Sequence, residues 1–197
     1  MIAHTKNRQN TLRAKLTIFT LFVSFAMASH SLDTEVGASA TFVKALSITG
    51  NSDMSFGVIQ YTSNNAANEI TLSPDGAISC TNNSDYICPP SGARGEVKFS
   101  GSAGFELEIS CEASGAISNG SEIFQLDAAA INIGESTYNC LGTGSSAAQY
   151  TLTGDVESDA LYLGSRLNIP ETGISEGGEY ASDYSGGDPI TIRIVYQ

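Results

Sequence analysis

Phe105-Glu106-Leu107-Glu108-Ile109-Ser110-Cys111 alternates without a break: every odd position is apolar or cysteine and every even one is polar. A period of two is the signature of a strand with one buried and one wet face, so the run predicts a half-buried strand with Cys111 turned toward a core. The C-terminus repeats the pattern in Ile190-Thr191-Ile192-Arg193-Ile194-Val195-Tyr196-Gln197. There Ile190, Ile192, Ile194 and Tyr196 share a face, with Arg193 on the opposite one. Shorter runs agree: Met54, Phe56 and Val58; Ile70 and Leu72; Val97 and Phe99; Ile131 and Ile133; Tyr150 and Leu152; Leu161 and Leu163; Leu167 and Ile169.

Turn-forming clusters separate these runs, among them Ser73-Pro74-Asp75-Gly76, Pro89-Pro90-Ser91-Gly92 and Ser185-Gly186-Gly187-Asp188-Pro189. Short strands punctuated in this way predict an all-β protein built as an antiparallel sandwich. Apolar residues crowd from Ile123 to Ile133, where a short helix and a strand are both open readings. No internal repeat or long linker interrupts the chain, and its length suits one domain.

The N-terminus bears on the compartment. Lys6, Arg8, Arg13 and Lys15 precede the apolar run Leu16 to Val23, which closes on Ala26-Met27-Ala28. A basic region, a short apolar run and a small-residue cleavage site predict a secretory signal over residues 1–28, with no membrane insertion once it is removed. Four of the nine basic residues and none of the 21 acidic ones lie in that segment, so the remainder carries five positive against 21 negative charges, a net −16. Lys44, Arg94, Lys98, Arg166 and Arg193 form no basic run, which argues against nucleic acid and anionic membrane as partners.

Cys80, Cys88, Cys111 and Cys140 all follow the cleavage site and would enter an oxidising space. Three pairings are possible. Cys80 and Cys88 flank the polar loop Thr81 to Ile87, and Cys111 ends one alternating strand while Cys140 follows another, which favours 80 with 88 and 111 with 140. Without a C-x-x-C pair or a nearby histidine, a zinc site is disfavoured.

Catalytic patterns are sparse. The two histidines, His4 and His30, fall in the signal and just beyond it, and no nucleophile elbow, Ser-x-x-Lys, H-E-x-x-H or nucleotide loop occurs. A convergent carboxylate pair is the one arrangement left, yet the chain has no tryptophan for a glycan platform. Asp155-Val156-Glu157-Ser158-Asp159 opens like a calcium loop, but Ala160 stands where glycine is required and Arg166 where glutamate is, so a solvated loop is expected. Asn82-Asn83-Ser84 and Asn119-Gly120-Ser121 fit the N-glycosylation pattern, which matters in a eukaryotic secretory route. The expectation is a non-enzyme with no cofactor and no metal.

Leu46-Ser47-Ile48-Thr49 with Asp53-Met54-Ser55-Phe56-Gly57, then Ile70 to Gly76, Gly104-Phe105, and Gly178-Glu179-Tyr180 before the final strand carry a resemblance. In their order and spacing they resemble the bacterial exported family designated domain of unknown function 4402, which is similar to the spore coat protein U and archaic chaperone-usher pilin group. The four cysteines and the insertion around Cys80 to Cys88 depart from that pattern.

The resemblance implies an immunoglobulin-like sandwich over residues 44–197 that serves as a surface or pilus-like subunit, polymerising with itself or other surface subunits with the help of a periplasmic chaperone and usher. Residues 29–43 are then a donor extension, in which Val36, Ala38, Ala40 and Phe42 alternate with smaller or polar residues. The competing reading makes the same residues the first strand of a self-contained secreted domain that binds ligand or adheres through loops such as Thr81 to Ile87 and Asp155 to Asp159.

Overall fold

A computed structural model describes residues 39–62, 66–142, 145, 148–155, 159–175 and 177–197. Residues 1–28, read as a signal, both histidines, Val36 and Ala38 lie outside them. Residues 42–197 form one compact unit.

All regular structure among the described residues is strand. In chain order it comprises β1 (Ser47–Ser52), β2 (Gln60–Tyr61), β3 (Asn68–Leu72), β4 (Ile78–Cys80), β5 (Tyr86–Ile87), β6 (Gly95–Ser100) and β7 (Glu106–Cys111). Then follow β8 (Gly115–Ser118), β9 (Ile123–Ile133), β10 (Ser136–Asn139), β11 (Ala148–Thr151), β12 (Ala160–Ile169) and β13 (Ile192–Tyr196).

The large sheet is organised by β12, which pairs along one whole edge with β9 and divides its other edge between β6 and β3. β1 extends β6, β4 extends β3, and β8 and β10 share the far edge of β9. The second sheet is β11-β7-β13, and β2 pairs with β5. Every one of these ladders is antiparallel. The two main sheets face each other as a sandwich.

Between them lies a core of Phe99, Ile131, Ile133 and Leu161 from the large sheet with Leu107, Ile109 and Cys111 from β7. Leu107 and Ile109 are completely buried, as the alternation in residues 105–111 predicts. A second core joins Ile70, Leu72, Phe124, Leu126, Leu167 and Ile169 to Phe56 and Tyr86. Cys111 pairs with Cys140 at a Cα separation of 5.0 Å and so links β7 to the large sheet. Cys80 pairs with Cys88 at 6.4 Å, tying β4 to the residue after β5.

One open reading is resolved and two sequence expectations are corrected. Ile123 to Ile133, open between helix and strand, is the eleven-residue strand β9. Its burial alternates through Phe124 and Leu126, then resumes one residue out of phase at Ala129, Ile131 and Ile133. The slip is a bulge opposite β12 where Ala128 takes a φ of 47°, and a three-residue gap in the apolar pattern looks helical.

Val58, grouped with Met54 and Phe56, is 79% exposed. Gly57 at φ 72° turns the chain between them and breaks the alternation. Asp159, read as part of a solvated loop, is fully buried, although residues 156–158 are not described. Its carboxyl group accepts from Thr153 N, Thr153 Oγ1, Gly154 N and the Tyr150 hydroxyl.

Candidate assembly groove

β13 forms from alternating apolar residues that must bury one face, and β7 supplies its ladder on one edge, from Ile192 opposite Cys111 to Tyr196 opposite Leu107. Among the described residues no strand pairs with its other edge. Ile190, Ile192, Ile194 and Tyr196 all pack against the first core, yet β13's inward residues stay half-buried where those of central β7 are sealed. Arg193 is exposed on the outer face, as the alternation predicts.

A cavity of about 1060 Å³ opens beside Ile190 and Ile192. Its opposite wall is the stretch from Asn51 to Ile59, held to the body by a two-way backbone pairing of Ser55 with Ala93 at 2.7 and 2.9 Å. The floor is supplied by Val97 and Leu163 toward the first core and by Phe124, Leu126 and Leu167 toward the second. Met54 and Ile190 touch both cores. The result is a trench between two chain segments, apolar at its base and beside a strand edge that no described strand pairs.

The long connection from β12 to β13 walls one end of this trench. Tyr180 stacks on Phe124 with ring centroids 4.9 Å apart and donates its hydroxyl to Glu122 at 2.6 Å. Ser175 N donates to the same carboxylate at 3.2 Å. Isolated bridges from Ser118 to Ala181 and from Ala116 to Asp188 stitch the connection along β8 and cover that sheet edge. Asp53, Glu96, Glu179 and Asp183 stand along the border, so the trench has an acidic margin above an apolar base.

Of the candidate assembly residues, Ile190 and Ile192 line the trench, while Ile194 and Tyr196 continue β13 beyond it. Ala40 and Phe42 belong to no strand, and Phe42 is 92% exposed. The trench residues Phe124 and Tyr180 escape a sequence reading. Phe124 is hidden by the phase slip in β9, and Tyr180 stands in an irregular connection.

The loop Thr81 to Ile87 spends many of its polar groups on itself and on the neighbouring residues Ala67 to Glu69. Asn82 accepts from Ser84 N, Ser84 Oγ and Asp85 N, and donates to Ala67 O and Asp85. Asn119 is similarly engaged with Ser121 N and Glu122 N.

The basic residues are dispersed. Arg166 makes a two-pronged pair with Asp127 at 2.7 and 2.9 Å, which holds the Asp127 carboxyl below its usual range, and Arg94 lies 3.4 Å over the Tyr162 ring.

Neither the curated proteins nor the solved structures contain a significant match to this chain. A family model does match it, over residues 46–196, a span that runs from just before β1 to the end of β13 and takes in the trench and both disulfides. The chain therefore belongs to the family described as Domain of unknown function (DUF4402).

Proposed function

We propose that this protein is an exported structural subunit of a surface assembly, and that it polymerises by strand addition, residues 36–42 of one copy occupying the trench beside β13 of another. The observation that carries the reading is the coincidence of a strand edge that is unpaired among the described residues with an apolar-based trench opening beside Ile190 and Ile192. Strand addition supplies main-chain hydrogen bonds to the edge and buries alternate side chains in the trench. Two disulfides within one sandwich accord with an oxidising destination outside the cytoplasm. No catalytic role is assigned. The Thr81 to Ile87 loop, bonded within itself and to Ala67 to Glu69, gives no support to a loop-borne ligand site.

The test is deletion of residues 29–43 with the signal retained. The intact protein should be oligomeric by light scattering, and the deleted protein a monomer that binds a peptide of residues 29–43 fused to a carrier one to one without growing further. A stable monomer from the intact gene, indifferent to the deletion, would falsify the proposal.

A further inference from the structure

We infer that the Cys80–Cys88 disulfide is a thiol-exchange site, through which a small dithiol acting as reductant loosens one wall of the trench while the sandwich stays folded. The switch lies in the wall itself and is independent of what occupies the trench.

The wall from Asn51 to Ile59 leans on a strap, Cys88 to Arg94, that runs from the end of β5 to the start of β6. Gly57 abuts Pro89 so closely that a Cβ on the glycine would sit 3.3 Å from the proline Cγ. Gly92 lies where a Cβ would overlap the Ser55 carbonyl, and Ser55 pairs with Ala93 through two backbone bonds. The wall continues into β2, and among the described residues β2 and β5 pair with each other and with neither main sheet.

The strap is anchored unequally. One end enters β6, which is flanked on both edges by β1 and β12. Its middle bonds to the turn before β4, where Gly92 N donates to Gly76 O at 3.0 Å and Ile78 N to Pro90 O at 3.5 Å. The other end, with β5 and Pro89, has the disulfide as its covalent fastening, and Cys80 is fixed in the β3–β4 ladder opposite Ile70. Beside the bridge that end is held by the packing of Tyr86 and by hydrogen bonds from Asn82 to Asp85. The Tyr86 hydroxyl donates to Ala66 O, in the segment that follows β2, so this bond stays within the flap.

The two disulfides differ in access. Cys111 and Cys140 are 2% and 6% exposed within the first core, whereas Cys80 and Cys88 are half-buried at the margin of the second. Exchange requires a thiolate to reach the sulfur, so its rate follows access. The dithiol passes two electrons and two protons: the Cys80–Cys88 bond breaks, both sulfurs become thiols, and the reductant closes its own disulfide. Pro89 and β5 then cease to press Gly57 and β2 onto the second core. The opening is local, because the first core contains none of residues 57–62.

The experiment treats the intact exported protein with stepwise dithiothreitol, blocks freed thiols with iodoacetamide, and follows alkylation and amide hydrogen exchange by peptide mass spectrometry. Cys80 and Cys88 should be alkylated roughly ten times faster than Cys111 and Cys140. Exchange in residues 58–62 and 84–88 should rise roughly tenfold, with the Ser55 and Ala93 amides, β7 and β12 unchanged. A Cys80→Ser, Cys88→Ser variant should show the same fast segments without reductant. Equal alkylation of the two pairs would overturn the exchange site. Selective reduction that leaves residues 58–62 as slow as before, or a rise shared by β7 and β12, would overturn the link to the wall. Each of these outcomes is read on single chains, so none depends on whether the protein polymerises.

Discussion

The hydroxyl of Tyr196 donates to the carbonyl of Lys44 at 2.7 Å, joining the last strand to the segment before the first across 152 residues of sequence. The same oxygen accepts from Ser102 N at 2.9 Å. Tyr196→Phe removes both bonds and leaves the Ser102 amide unpaired, so it should cost about 1–2 kcal/mol. Urea unfolding should show a lower midpoint at an unchanged slope. Gly101 lies directly beneath the phenol, where a Cβ would overlap the hydroxyl and crowd Leu152, so Gly101→Ala should cost more than Tyr196→Phe. The opposite order would mean that the phenol moves freely.

The two disulfides close loops of unequal length, with sequence separations of 8 and 29. Loop-closure entropy gives about 2.5 kcal/mol for Cys80–Cys88 and about 3.5 kcal/mol for Cys111–Cys140. Cys111 and Cys140 are also buried in the first core, so replacing both with alanine additionally leaves a cavity there. The Cys111→Ala, Cys140→Ala double variant should therefore lose more stability than the Cys80→Ala, Cys88→Ala one by at least about 1 kcal/mol. Chemical denaturation of the two variants side by side checks this, and equal losses would contradict it.

The strands that could be read in the sequence are those whose period of two runs unbroken. Phe105 to Cys111 and Ile190 to Tyr196 pack as their patterns predict because no bulge or left-handed residue interrupts them. Reading stopped short where the backbone changes phase: at Ala128 within β9, which left helix and strand both open, and at Gly57 before Val58. For the candidate site, the β13 face was legible. The Phe124 and Tyr180 end was not, because tertiary contact brings together an out-of-phase strand and an irregular connection. Asp159 is a different case. It continues the inward phase of Leu161, Leu163, Ser165, Leu167 and Ile169, so its burial was present in the pattern, masked by its charge.

Ala128 marks the bulge that fits β9 to β12, and its φ of 47° is one that a Cβ resists. Opposite it, inward-facing Ser165 donates its hydroxyl to Asp127 O at 2.8 Å, which fills the gap left by the slipped register. Ala128→Gly should relieve the strain and stabilise the fold by about 1 kcal/mol, the gain being limited by the greater freedom of glycine in the unfolded chain. Gly164, one residue away on β12, is the converse. A Cβ there would run into the backbone of Leu72, Ser73 and Pro74, where β3 leaves the sheet. Gly164→Ala should cost more than about 3 kcal/mol, since backbone has no rotamer by which to yield. Thermal melts of the two variants should shift in opposite directions, and a shared direction would refute the account of the bulge.

The Tyr150 hydroxyl donates to buried Asp159 at 3.1 Å, and burial, the bond to Asp159 and that group's negative charge together push the phenol up to about 12. In the unfolded chain the same group titrates near 10. A folded value above the unfolded one means that folding favours the protonated phenol. Its contribution to stability is whole below pH 10 and is lost as the pH rises from 10 toward 12. The native protein should thus lose stability across that window, and Tyr150→Phe should flatten the loss while starting from a lower value at pH 7. Other tyrosines contribute to the same limb, Tyr86 among them, since burial raises its phenol as well. The diagnostic quantity is therefore the difference between native and variant urea midpoints, measured at pH 8, 10 and 11. That difference should shrink as the pH rises. A constant difference would show that the Tyr150 proton is not linked to folding, and the role of Asp159 would then rest on its bonds from Thr153 and Gly154 alone.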